Sequence, residues 1–177
     1  KGYEQTYLER DVRAISKVAD LVAFRNLLHL TALRTGQVLN QSELGRDAKL
    51  NAASVGRYLS LFETSFLVSR LSPYLLNRSS RIIKSPKLYI TDSGLAGYLN
   101  GLDEPESKRF YRPPLFGALL ETYVVQNLLS LFHSRWPTAG IYFWNVQGRY
   151  EVDVVVESGQ TMVAMEVKGG SRWKEKD

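Results

Sequence analysis

An α+β fold in two consecutive parts is what this 177-residue sequence predicts, and three observations carry the prediction. Two short helical stretches joined by a tight turn are followed by a pair of strands with basic residues between them. Gly, Pro and charged residues then interrupt every periodicity over NGLDEPESKRFYRPP. Beyond that break, one long amphipathic stretch precedes three strands rich in Val, Ile and aromatic residues. Placing the boundary at the break divides the chain into residues 1–100 and 101–177.

The first part opens with a charged helix from Tyr3 to about Ile15. A second helix follows from Leu21 to Arg34, with Leu21, Phe24, Leu27, Leu28 and Leu33 at helical spacing and Gly36 as its stop. Ser42 is placed to cap a short helix ending near Ala48. Asn51 is placed to cap another ending near Phe62, with Val55, Tyr58, Leu59 and Phe62 on one face. These two make a helix-turn-helix pattern. FLVSRL reads as a strand, LNRSSR as a basic loop and KLYIT as the return strand. Helices followed by a basic hairpin give the expectation of a winged helix. TDSGLAGYL adds a short capped helix before the break.

In the second part, Leu115 to about Phe132 forms the long helix. IYFWNV, YEVDVVVE and TMVAMEVK are the strands, and ESGQ is the hairpin turn between the last two.

Composition narrows the chemistry. The chain has no cysteine, which excludes disulfide scaffolds and thiolate metal sites and suits a reducing compartment. Its two histidines, His29 and His133, sit in leucine-rich helical stretches, so packing or surface roles suit them. Any metal would have to be held by carboxylates, which favours Mg2+ or Mn2+. Reading along the chain finds no run of the ~18 apolar residues that a bilayer crossing needs. There is no export leader either, so the expectation is a cytoplasmic protein with no membrane partner. The chain starts at Lys1 and closes on the polar run SRWKEKD, so both ends are expected to be cuts through a longer protein. Its 23 basic and 18 acidic residues leave a net charge of +5, compatible with nucleic acid without demanding it.

The chemistry-bearing residues lie in the second part. Side chains alternate along a strand, so Glu151, Asp153 and Val155 share one face of EVDVVV, and Glu166 and Lys168 share one face of MEVK. A two-residue loop at Ser158-Gly159 would pair Asp153 with Ala164. A loop at Gly159-Gln160 would pair it with Glu166. Either register brings Asp153, Glu166 and Lys168 to one face. Glu121 sits at the margin of the long helix's apolar stripe. Two carboxylates held close together repel unless a divalent cation neutralises them. Such a cation polarises a phosphodiester and acidifies water, and a neighbouring lysine orients that water or stabilises developing charge.

This arrangement of Glu121, then EVD, then MEVK resembles the PD-(D/E)XK nucleases, whose core carries an acid on the first helix, Asp on the second strand and Glu-x-Lys on the third. The resemblance implies a restriction-endonuclease-like core with Glu121, Asp153, Glu166 and Lys168 as catalytic residues, and Asp153 and Glu166 as the Mg2+ or Mn2+ ligands. That fold normally adds a helix and a strand after Glu-x-Lys. The chain ends at Asp177, so a core short of its last elements is expected.

A wider likeness rests on YLERDVR, KSPKLYITDSGLAGYL, GALLETYVVQNL, and EVDVVVESG with MEVK. These resemble the C-terminal region, of unknown function, of prokaryotic AAA-type ATPases. The likeness implies an N-terminal ATPase domain as a partner within the same protein, because no GxxxxGK[ST] loop occurs in these residues. It leaves substrate, oligomeric state and the role of ATP open.

Each sharp reading has a plain competitor. The acid set could be a salt-bridged sheet face, with Lys168 pairing Asp153 or Glu166. Arg57, Arg78, Arg81 and Lys84, with Ser54, Arg46 and Lys49, are candidates for contacts with DNA phosphates. A scaffold that binds protein would carry the same surface. Tyr111, Phe143, Trp144 and Trp173 suit packing better than base stacking.

Overall fold

The computed structural model describes residues 20–102, 113–146 and 150–169. The helix expected at Tyr3 to Ile15, most of the interrupting segment, Tyr111 and Trp173 lie outside the described residues. Among those described, six helices and two three-stranded antiparallel sheets form a mixed α+β fold.

The helical half begins with α1 (Leu21–Leu33), whose first amides are capped by the Asp20 carboxylate at 2.9 Å. Phe24, Leu27, Leu28, Thr31 and Ala32 form its buried face. Leu33, expected on that face, is exposed instead. The short strand β1 (Gln37–Val38) leads into α2 (Gln41–Ala48). Asn40, not Ser42, caps α2. Its Oδ1 accepts from Glu43 N at 3.1 Å while its amide reaches back to Glu43 Oε2 at 3.3 Å, a reciprocal box that Ser42 cannot make from inside the helix.

The turn into α3 (Ala52–Thr64) needs Gly45, because a Cβ there would stand 2.9 Å from the Leu50 carbonyl oxygen. Asn51 caps α3 as expected, and Val55, Tyr58, Leu59 and Phe62 are buried. Phe24 meets Tyr58 edge-on at 5.2 Å and Phe62 at 4.7 Å. Burying each such large apolar side chain contributes about 1.5–3 kcal/mol.

Strand β2 (Val68–Leu71) pairs with β3 (Lys87–Ile90), which lies at the centre of the first sheet between β1 and β2. The expected basic loop between them is a helix, α4 (Arg78–Ile83), because Asn77 caps it through Ser79 N. After β3, α5 (Ser93–Leu99) is capped by Asp92, as its sequence suggests.

All four residues of β3 are buried, and their alternation divides two cores. Leu88 and Ile90 join the helical core with Phe24, Leu59 and Phe62. Tyr89 joins a second core with Leu71, Val125, Phe143, Val154 and Val156. Its same-face neighbour Lys87 lies at the edge of that second core. The second core is therefore built by both halves of the chain.

The second half consists of α6 (Pro113–Arg135) and a meander of β4 (Gly140–Val146), β5 (Tyr150–Ser158) and β6 (Thr161–Met165). By length and composition alone, Pro114–Arg135 is long and apolar enough to cross a membrane, which corrects the reading of no such run. Here Val125 of α6 is fully buried, and Leu128, Leu129 and Phe132 pack beside it against the sheet. Of the two hairpin registers, the structure holds the Gly159-Gln160 loop, with Ser158 opposite Thr161 and Gly159 at φ +60. The chain leaving β2 runs alongside β4, with Phe143 N donating to Ser72 O at 3.1 Å and Tyr74 N to Phe143 O at 2.6 Å. These bonds tie the two sheets together.

Candidate functional site

Strand alternation on β5 gives Glu151 and Asp153 a common face, and one turn before buried Val125 the helix α6 presents Glu121. The three carboxylates converge on the Lys87 ammonium from β3. Its Nζ lies 2.9 Å from Glu121 Oε1 and 3.5 Å from Asp153 Oδ1, and it also contacts Glu151 Oε1. Tyr89, two residues along the same strand face, donates its hydroxyl to Glu121 Oε1 at 2.7 Å. Val167 N donates to Asp153 Oδ2 at 2.8 Å. Both Asp153 oxygens thus have cationic or N–H partners.

The Lys87 side chain is 1% exposed and that of Asp153 9%, against 42% for Glu151. Burial works to lower the Lys87 pKa, but the charges and hydrogen bonds of Glu121 and Glu151 outweigh it and raise the ammonium above its ordinary value. Glu121 is pushed up by burial and by Asp153, with Lys87 opposing. Burial is the main cause of the Glu121 shift, and the Asp153 charge adds a smaller push in the same direction. Burial and the Glu121 charge likewise push the Tyr89 phenol up, so Tyr89 remains a hydrogen donor.

Of the expected catalytic set, Glu121 and Asp153 are brought together, but the partner that joins them is Lys87 rather than Lys168. Lys168 pairs with Glu166 at 3.2 Å, and both side chains are largely exposed. This is one of the two pairings of the salt-bridged alternative. The tripeptide does lie beside Asp153, yet the bond it makes there comes from the Val167 backbone. Of the two expected Mg2+ or Mn2+ ligands, Asp153 faces the Lys87 ammonium at 3.5 Å and Glu166 pairs with Lys168. The position between Glu121 and Asp153 holds a fixed ammonium, and a divalent ion there would face like charge.

The basic residues divide in the same way. Arg57 and Lys84 are exposed. The backbone of Arg78 opens α4, and nothing further is described of it. Arg81, expected on the exposed face, is 6% exposed. Its guanidinium lies 4.3 Å from the Tyr74 ring centre and 4.4 Å from that of Tyr142. It donates to Glu157 Oε2 at 2.8 Å and to Leu75 O at 2.5 Å. The bond to Glu157 outweighs desolvation and raises its pKa, so Arg81 stays charged and occupied inside the molecule.

Residues 1–106, more than half of the chain, match a family described as a domain of unknown function, DUF8612. The chain belongs to this family. In this DUF8612 member, residues 116–177 match a second domain of unknown function, DUF4143, one commonly found with AAA ATPases. Uncharacterized proteins of Mycobacterium bovis and Mycobacterium tuberculosis are each 30% identical to it over 167 residues. The match takes in 94% of this chain and 36% of either relative, so the chain spans about a third of the length of these curated relatives.

Sequence reasoning missed Lys87, Tyr89 and Glu151 as members of the acid set. A signal for each was present. KLYIT alternates a lysine and a tyrosine against Leu and Ile, a polar face on a strand otherwise fit for a core. Glu151 shares its strand face with Asp153. What alternation alone could not give was that β3 would be buried on both sides.

Proposed function

We propose that this DUF8612 member is a non-hydrolytic binding module of an AAA-type ATPase, with a winged-helix half that docks on duplex DNA through α3. One observation carries the reading, the composition of α3's outer face. Ala52, Ala53, Ser54, Gly56, Arg57 and Ser60 are small, neutral or basic, and all are at least partly exposed. The only carboxylate of α3 is Glu63 in its last turn, paired with Arg70 at 2.5 Å. A smooth helix with no unpaired acid is suited to a major groove, and Arg46 and Lys49 on the preceding element lie exposed for phosphates. The order α1-β1-α2-α3-β2-β3, with β3 between β1 and β2, supports a winged helix in which α4 replaces an open wing. The likeness to ATPase C-terminal regions supports a parent enzyme that supplies nucleotide hydrolysis.

The test is a salt-dependent titration of the full-length protein with duplex DNA. Affinity should fall steeply as salt rises, and Arg57→Ala should lower the slope of log affinity on log salt by about one. Absence of DNA binding by wild type at low salt would transfer the function to a protein partner.

A second reading, metal-dependent phosphodiester cleavage by a nuclease-like core, is favoured by the convergence of Glu121 and Asp153 within 3.5 Å of one atom. Cleavage of single-stranded, duplex or branched DNA by full-length protein with Mn2+, abolished by Asp153→Ala, would establish it. The Lys87 ammonium between those carboxylates makes binding the better account.

A further inference from the structure

The acid set has the shape of a cation site whose cation is part of the chain. We propose that the Lys87 ammonium is its resident counter-ion, held where a divalent ion would otherwise sit, and that the carboxylates accept a divalent cation only when this side chain is removed.

Four observations support this. Nζ approaches carboxylates from two separate elements, Glu121 on α6 and Glu151 and Asp153 on β5, as a shared central ion does. The side chain is 1% exposed, so it is fixed there rather than swinging in solvent. Its backbone is anchored on both edges, by β1 through Val38 and by β2 through Leu71, so the ammonium is tethered to a central strand. Tyr89 donates to the same Glu121 Oε1 that Lys87 contacts, and Val167 N donates to the Asp153 oxygen turned away from Lys87, so both carboxylates are oriented as second-layer hydrogen bonds orient metal ligands. A tethered monovalent cation supplies neutralisation without the geometry or the water that a metal would bring. It also ties β3, shared with the helical core, to α6 and β5.

The inference is independent of the DNA reading, and its test needs no nucleic acid. Full-length wild type, Asp153→Asn, Lys87→Met and Lys87→Met/Asp153→Asn are titrated with Mn2+, following free ion by electron paramagnetic resonance and melting by circular dichroism. Wild type should show no Mn2+ binding that Asp153→Asn removes. Lys87→Met should bind Mn2+ at least about tenfold tighter than wild type and melt higher with it, and the double variant should lose both effects. A Lys87→Met protein that folds only with Mn2+ supports the proposal equally. Lys87→Gln, which keeps similar length and two N–H donors, provides the same comparison should the methionine variant fail to fold. Wild-type Mn2+ binding that Asp153→Asn abolishes would overturn the proposal. So would folded Lys87 variants that gain no Mn2+ affinity.

Discussion

Replacing Lys87 with Met removes the only ammonium from a set of three carboxylates and leaves a side chain of similar length in its place. The exposures indicate where the cost falls. Glu151, 42% exposed, can turn to water, but Glu121 at 17% and Asp153 at 9% cannot. Removing one partner of a buried ion pair costs about 3–5 kcal/mol, because the remaining charge stays desolvated and unpaired. For a module of this size that is a fall in melting temperature of roughly 6–20 °C. The decisive assay is a double-mutant cycle of Lys87→Met with Asp153→Asn. Thermal unfolding of the full-length protein would be read together with hydrogen exchange at β3 and β5. Neutralising Asp153 removes one of the stranded charges, so the double variant should be more stable than the sum of single losses implies, by about 1–3 kcal/mol. Strictly additive losses, or a single variant melting within about 1 °C of wild type, would refute the idea that Lys87 and Asp153 are coupled.

The same set makes stability depend on pH in a stated direction. Folded Lys87 keeps its proton to a higher pH than the ordinary 10.5, so its contribution is full below that value and lost as pH rises through its raised pKa; the alkaline decline should be absent in Lys87→Met. Folded Glu121 likewise holds its proton above the ordinary 4.5, so its contribution is full below that pH and lost as pH rises through its raised pKa. Glu121→Gln should therefore remove the loss of stability that wild type shows as pH rises from the ordinary 4.5 through the raised pKa, and it should be milder at neutral pH than Lys87→Met. Gly36, at φ +79 and packed against the Glu121 carboxylate, should resist substitution. Gly36→Ala imposes a left-handed backbone on a residue with a Cβ, which costs about 1–2 kcal/mol and is measurable by chemical denaturation.

Periodic and capped segments were legible in the sequence. The buried face of α3, the Asn51 cap, a capped helix in TDSGLAGYL, the meander and a hairpin limited to two registers all follow from local spacing, because each depends on residues within a few positions. At two points in the chain, two local signals compete. Ser42 fits a cap by residue type, but Asn40 and Glu43 close a reciprocal box that starts the helix earlier; LNRSSR fits an open loop by its charge, but Asn77 starts a helix there. The acid set was legible as a set of positions but not as a circuit. Glu121 and Asp153 could be brought together from helix and strand geometry, whereas their cation is contributed from β3, tens of positions away, by tertiary packing. Nothing in MEVK signals that Lys168 would lie with Glu166 in solvent while Lys87 took the central place.

The net charge reads differently once the buried cations are located. Arg81 on α4 is paired with Glu157 of β5, and Lys87 on β3 with Glu121, Glu151 and Asp153, so both cations reach from the helical half to carboxylates of the second half. Both belong to the hairpin whose basic character suggested a DNA-binding wing. A charge spent on an internal carboxylate releases no counter-ion from DNA, so it adds nothing to the salt slope. Among the described residues of the proposed DNA-binding half, Arg46, Lys49 and Arg57 on α2 and α3 and Lys84 at the end of α4 are exposed and remain candidates for phosphate contacts. Binding should accordingly have a shallow slope set by a few phosphate contacts. A slope near the total basic count of the hairpin and helices would mean that the two internal ion pairs open on DNA.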